Sequence, residues 1–253
     1  MARKTVARQR WRRALLLISF VAFPVTMNYL SPYLIVDSAF QGIVNGSLVA
    51  FATMFVGSLV LGRLWCGWAC PAGAAQEFAA PVNEKRIGGK ANLAKWVIWV
   101  PWIGLVAWGA LSAGGYRSLQ LLYGTEGGIS VAGSADRPII VAYIIYFIVV
   151  ALFVGLAFGL GKRAGCHTVC WMAPFMIAGR WIRNRFAWPA LRLRAEAATC
   201  TSCGRCTEAC PTGLDVQGLV QSGSMEDYEC TLCGNCVDTC PKRTIHYSFS
   251  SGR

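Results

Sequence analysis

Residues 200–213 read CTSCGRCTEACPTG, and residues 230–243 read CTLCGNCVDTCPKR. The two stretches share one spacing, C-x2-C-x2-C-x3-C-P. Three cysteines that close together lie on one tight loop and reach one body. The fourth lies past a turn, just ahead of Pro211 or Pro241, and projects away from its own loop. Gly204 and Gly234 let the backbone pass close to whatever the loop holds.

This is the spacing of bacterial two-cluster ferredoxins. It assigns Cys200, Cys203, Cys206 and Cys240 to one [4Fe–4S] cluster, and Cys230, Cys233, Cys236 and Cys210 to a second. Structural zinc is the competing reading, but two CxxC pairs satisfy zinc and the third cysteine of each triplet would be surplus. We therefore expect a small α+β bacterial ferredoxin-like 2[4Fe–4S] domain over residues 195–253. A module this short buries too little apolar surface to fold alone, so its clusters supply much of its stability.

Outward from this module the chain is 55% hydrophobic and 14% charged, with a mean hydropathy of +0.45. Residues 14–36, 43–65, 93–113 and 139–160 form apolar runs nearly free of charge. Each is long enough for the roughly 20-residue helix that crosses a bilayer. The expected fold class is an α-helical membrane protein with four transmembrane helices, a pseudo-repeat of two-helix halves, plus the ferredoxin-like domain. Pro24, Pro32 and Pro101 fall inside these runs and predict kinks. The first run follows a basic start but is too long for a signal peptide and lacks a small-residue cleavage site, so it reads as a retained span.

The net charge of +12 has a location. Arg3, Lys4, Arg8, Arg10, Arg12 and Arg13 precede the first run; Lys85, Arg86 and Lys90 follow the second; Lys162, Arg163, Arg180 and Arg183 follow the fourth. The opposite loop holds Arg117 and Arg137. Lys and Arg collect on the cytoplasmic side, so this bias predicts a multi-pass inner (cytoplasmic) membrane protein with both termini cytoplasmic. Topology accounts for the charge, and nucleic acid is not a partner. The expected division is a basic N-terminus (1–13), a four-helix membrane domain (14–173), an interfacial amphipathic segment facing anionic lipid (174–194) and the ferredoxin module.

The remaining cysteines form two C-x3-C pairs, Cys66/Cys70 after the second run and Cys166/Cys170 after the fourth. Positions i and i+4 share a helix face, so each pair is expected to present two thiols in one direction. Packing of two similar halves would bring the four together. That suggests a third [4Fe–4S] cluster, with zinc, redox-active thiols and plain apolar packing as alternatives.

These features resemble the NapH family, membrane components of quinol dehydrogenases, and are similar to the membrane cores of NosR and CcoG proteins. Cys66, Cys70 and Pro71 match the first family motif; Cys170 departs from the second, being followed by Trp171. The resemblance implies electron exchange between the quinone pool and iron–sulfur centres, as an oxidoreductase subunit with a redox partner protein. His167 and Arg63 are candidates for the quinone or cluster environment. A metal-ion (copper) reductase or assembly factor and a redox sensor are the other readings. Glu208, Asp215, Glu226, Asp227, Glu229 and Asp238 are candidates to dock a basic partner.

Overall fold

The fold is described from a computed structural model covering residues 2–87, 89–132 and 138–252, with side chains from residue 7 onward. Helix α1 (Ala2–Val21) carries the basic N-terminus into the first apolar run. It is followed by α2 (Phe23–Thr26), a 3-10 turn over Met27–Leu30 and α3 (Pro32–Phe40). Pro24 and Pro32 each occupy a first helical turn, where the missing N–H would have had no partner. Ser31 caps α3 by accepting the Leu34 N–H. The run 14–36, expected as one kinked span, is thus broken, with a 58° bend between residues 7–21 and 23–30.

The run 43–65 is also divided. It opens on β1 (Ile43–Asn45), and Asn45 then caps α4 (Gly46–Leu61) by accepting the Leu48 N–H at 2.8 Å. With 16 residues, α4 is about 24 Å long, short of the roughly 30 Å hydrocarbon core. It stops at Gly62, whose φ of 60° ends the helix. Then come α5 (Leu64–Trp68) and α6 (Pro71–Ala79).

The other two runs behave as expected. A 3-10 turn leads into α7 (Ala94–Ser112), which holds Pro101 in its interior. After β2 (Ser118–Gln120) comes α8 (Ile139–Leu160). The 24-residue stretch Gly89–Ser112 and the 22-residue Ile139–Leu160 are long and apolar enough to cross a membrane, and the bent first pair could make a third crossing. Val97, Leu111, Ile140 and Phe147 turn outward from α7 and α8, an apolar coat suited to lipid and costly in water.

Past α8 lie α9 (Ala164–Thr168), α10 (Ala173–Phe186), β3 (Ala190–Ala195), α11 (Arg205–Glu208), α12 (Val216–Gln221), α13 (Asn235–Thr239) and β4 (Ile245–Ser250). β3 and β4 pair antiparallel, from Ala190↔Ser250 to Ala195↔Ile245. The ferredoxin module therefore begins near Ala190, five residues before the expected boundary at 195. Its small core joins Leu193, Val216, Val220, Leu232 and Ile245 to the cysteines.

The amphipathic segment expected over 174–194 is a helix and then a strand; Arg185 and Arg194 are exposed, but Arg180, Arg183 and Arg192 are buried in the protein. Arg180 and Arg183 of α10 are 1% and 0% exposed and pair with Glu226 of the module. A guanidinium buried at a protein interface needs a carboxylate more than it gains from a headgroup.

Among the helices before the module, α4 packs on α10, and α6 packs on α8. The N-terminal helix, the loop around Lys85 and the module meet at one end: Arg8 pairs with Asp238, Lys162 donates to the Glu208 carbonyl, and the Lys162 N–H donates to the Lys85 carbonyl. At the other end β1 and β2 pair in parallel, and Asn28 donates to the Gly124 carbonyl. Arg137, assigned from sequence to that loop, lies outside the described residues.

Candidate iron–sulfur centres

The two ferredoxin loops share one backbone conformation. Ser202, Gly204 and Gly213 have φ of 53°, 75° and 71°; Leu232, Gly234 and Arg243 have 51°, 79° and 54°. These are equivalent positions of the two motifs. A left-handed residue that is not glycine costs about 1–3 kcal/mol and persists where function requires it. Turns of this kind aim successive N–H groups into a concavity that suits an anionic body such as an iron–sulfur cluster.

Cys200, Cys203, Cys206 and Cys240 line one cavity together with Gly204 and Lys242. Cys210 stands among Cys230, Cys233 and Cys236 closely enough that its charge bears on all three. Burial pushes the Cys230 thiol up to about 12. The fourth cysteine of each motif thus joins the other motif's three. Cys203 of the first set is exposed, whereas Cys210, Cys233 and Cys236 of the second are buried.

Cys66, Cys70, Cys166 and Cys170 are all buried, and burial and mutual repulsion push the thiols of Cys70 and Cys170 up. The two pairs have matching frames. Cys66 N–H donates to the Arg63 carbonyl and Cys70 N–H to the Trp65 carbonyl; Cys166 N–H donates to Arg163 and Cys170 N–H to Gly165. Neither pair lies on a continuous helix, contrary to the i, i+4 expectation. α5 and α9 end after one turn, and Cys70 is extended (φ −78°, ψ 120°) as the N-cap of α6. There its Sγ accepts the Gly73 N–H at 3.4 Å. Pro71 at the first helical position enforces that extended Cys70, and the tight turn brings the thiols together.

Among the described residues, no three His, Cys, Asp or Glu side chains close on a point that a single metal ion would fill. A four-iron cubane needs a wider arrangement, with thiolates around a body several times the size of an ion. Four buried thiols suit it in number and softness. They also lie beside compensating charge: Arg63 and Arg163 both favour the Cys166 thiolate, against burial.

Two ion-pair knots, on Glu229 and Glu226, tie this region to the module, and a third, on Glu77, ties α1 and α6 to the Cys166 turn. Glu229 is held by Arg63 (2.7 Å) and Lys95. Glu77 is held by Arg163 (2.6 Å) and Arg12. Glu226 takes Arg180, Arg183 and Arg192. Burial would raise these carboxyls, but the arginines and Lys95 outweigh it and hold all three near 2. Glu226, Glu229 and Asp238, expected to attract a basic partner, are therefore spent on docking the module to its own chain.

Arg63 is 1% exposed and anchors this docking through Glu229 and the Tyr228 carbonyl. His167 is 3% exposed, with Nδ1 2.6 Å from Asn92 Oδ1 and Nε2 3.1 Å from the Thr212 carbonyl. Burial lowers its pKa to about 4, so the ring is neutral at pH 7. With one ring N–H, it donates from Nε2 to Thr212 and receives the Asn92 amide, which requires the flipped amide. His167 thus links the Cys166 turn to the segment after Cys210. On the other side Gly67 abuts Thr231, and Trp68 Nε1 donates to the Leu232 carbonyl at 3.1 Å. The second ferredoxin set sits between both CxxxC turns.

Two apolar cavities flank the buried thiols. One, of about 570 Å³, lies against Ser19, Thr26, Tyr29, Trp65, Pro71 and Met176; the Met176 sulfur is 3.8 Å from Cys66 Sγ. The other, of about 470 Å³, lies against Met27, Phe153, Trp171 and Met172.

Residues 46–90 match the family model described as a 4Fe-4S binding domain, and residues 192–241 match the 4Fe-4S dicluster domain. The chain carries two iron–sulfur binding domains. The first match contains Cys66 and Cys70, and the second contains all eight ferredoxin cysteines. YccM of Escherichia coli (strain K12), named for electron transport, is 25% identical over 205 residues, 77% of this chain and 54% of YccM. The chain thus spans about half the length of the curated relative it matches. No solved structure matches it.

Sequence reading missed Arg12, Glu77, Lys95, Asn92 and Met176. Glu77 did leave a signal: it is the one acid between Asp37 and Glu84.

Proposed function

We propose that this chain is a membrane-bound electron-transfer protein of NapH-like type, exchanging electrons between the quinone pool and cytoplasmic [4Fe–4S] centres. Cys200, Cys203, Cys206 and Cys240 hold one cluster, and Cys210, Cys230, Cys233 and Cys236 hold the second. Cys66, Cys70, Cys166 and Cys170 hold a third at the membrane edge. When bound, these groups supply one-electron storage. The observation that carries the reading is the contact of both CxxxC turns with the buried ferredoxin set, through Gly67–Thr231 and His167–Thr212.

The chain's own residues supply the rest. The paired turns and the exchanged packing of α4 on α10 and α6 on α8 favour two related halves. In this reading the bent first run is a third crossing and α4, short of the hydrocarbon core by itself, makes the fourth together with β1 and α5, with the ferredoxin end in the cytoplasm as the positive bias requires. Arg63 and Arg163 offset negative charge on the membrane-edge thiolates. The apolar cavities beside Met176 and Trp171 are large enough for a quinone ring, and Ser19, Thr26 and Tyr29 are among the residues lining the larger.

The test is reconstitution of the anaerobically purified protein into liposomes with menaquinol or ubiquinol. Appearance of reduced-cluster EPR signals supports the proposal. If neither quinol reduces the clusters and neither quinone reoxidises them, it fails.

A further inference from the structure

Glu226, Glu229 and Asp238 of the module are spent on its own chain, while Glu208 and Asp215 stay exposed, and the surface open to a soluble partner lies around the first cysteine set. Cys203 is the exposed cysteine of the outer set. Arg205, two residues on, is exposed, as are Lys242 and Arg243 after Cys240. None of the three forms an ion pair among the described residues, whereas Glu226, Glu229 and Asp238 all do. Lys242 is also the charged residue lining the cavity that Cys200, Cys203, Cys206 and Cys240 share.

We infer that the soluble redox partner is an acidic one-electron carrier that docks over Cys203 on Arg205, Lys242 and Arg243. This rests on the proposed electron-transfer role and reverses the charge expected of the partner from sequence. Electron transfer asks for close approach to a cluster, and among the described residues Cys203 is the exposed ligand that offers it. A cationic rim there accelerates encounter with an acidic protein about tenfold or more at low salt and repels a basic one. Each productive encounter moves one electron: the carrier gains what the chain loses, or the reverse, and no bond is made.

The experiment uses the full chain, cluster-loaded and oxidised, in neutral detergent. Affinity is measured for two probes, an acidic flavodoxin and basic cytochrome c, from 20 to 300 mM salt. Arg205→Glu/Lys242→Glu/Arg243→Glu is compared with Lys85→Glu/Lys90→Glu, which removes exposed charge elsewhere on the same end. The expected result is flavodoxin binding that weakens with salt, falls about tenfold or more in the triple variant and changes little in the control. Equal loss in both variants, or flavodoxin binding indifferent to salt, overturns the inference, as does tighter binding of cytochrome c than of flavodoxin to the unaltered protein. Iron content and EPR of the dithionite-reduced triple variant, unchanged from the parent, exclude misfolding. No quinol is involved, so failure here is separate from failure of the quinone reading.

Discussion

Gly67 stands so close to Thr231 that a Cβ on it would overlap the Thr231 carbonyl oxygen and reach the Cα of Cys233 at 3.4 Å. One residue past Cys66 thus touches one residue past Cys230. This contact joins the turn that carries Cys66 and Cys70 to the ferredoxin module with no side chain between them. Gly67→Ala must push the module away. Such overpacking costs about 1–3 kcal/mol. We expect a lower melting temperature in detergent and slower quinol reduction of the ferredoxin clusters, with iron content retained. An unchanged melting temperature would mean that the two parts do not pack this way.

Glu229 neutralises two buried cations, Arg63 and Lys95. Removing one partner of a buried pair leaves the other charge uncompensated, at about 3–5 kcal/mol. Glu229→Gln is expected to loosen the module, measured as faster proteolysis between α10 and β3. Glu229→Asp is expected to recover part of the loss, since it keeps the charge.

The pH dependence has a definite sign. Glu77 and Glu226 are held near 2 in the folded chain against an ordinary 4.5. Their contribution is complete above 4.5 and is lost as pH falls from there toward 2. Docking of the module through Glu226, and the tie between α1, α6 and the Cys166 turn through Glu77, are therefore expected to weaken with acid in that window. Glu77→Gln and Glu226→Gln should each be less stable at pH 7 and show a shallower acid slope. A parent whose stability is flat through the window would contradict the pairing.

The cysteine code and the apolar runs 93–113 and 139–160 were legible because each is local: a spacing, or a length. The observed helices Ala94–Ser112 and Ile139–Leu160 fall almost on those bounds. The bend beside Pro24 was legible as a kink, but the stop at Gly62 was not, since hydropathy continues across it while a glycine with positive φ ends the helix. The docking knots were hidden for a different reason. Arg63 and Glu229 are 166 positions apart, and Arg8 and Asp238 are 230 apart. An unpaired charge and one half of a distant ion pair look the same in a sequence. That is why Arg180 and Arg183 read as lipid-facing and Glu226 as a partner site.

Truncating one membrane-edge thiol separates a third cluster from four packed thiols. Cys170→Ser is expected to remove about four irons and leave the ferredoxin clusters' EPR signals. Cys236→Ser is expected to disturb the buried ferredoxin set while leaving the membrane-edge centre.

The most direct test of the account is an iron and acid-labile sulfide count on the protein purified without oxygen, alongside Cys66→Ser. Three clusters predict roughly twelve of each per chain, falling to roughly eight in the variant. Roughly eight in both would contradict the membrane-edge cluster and remove the proposed link between the quinone pool and the ferredoxin module.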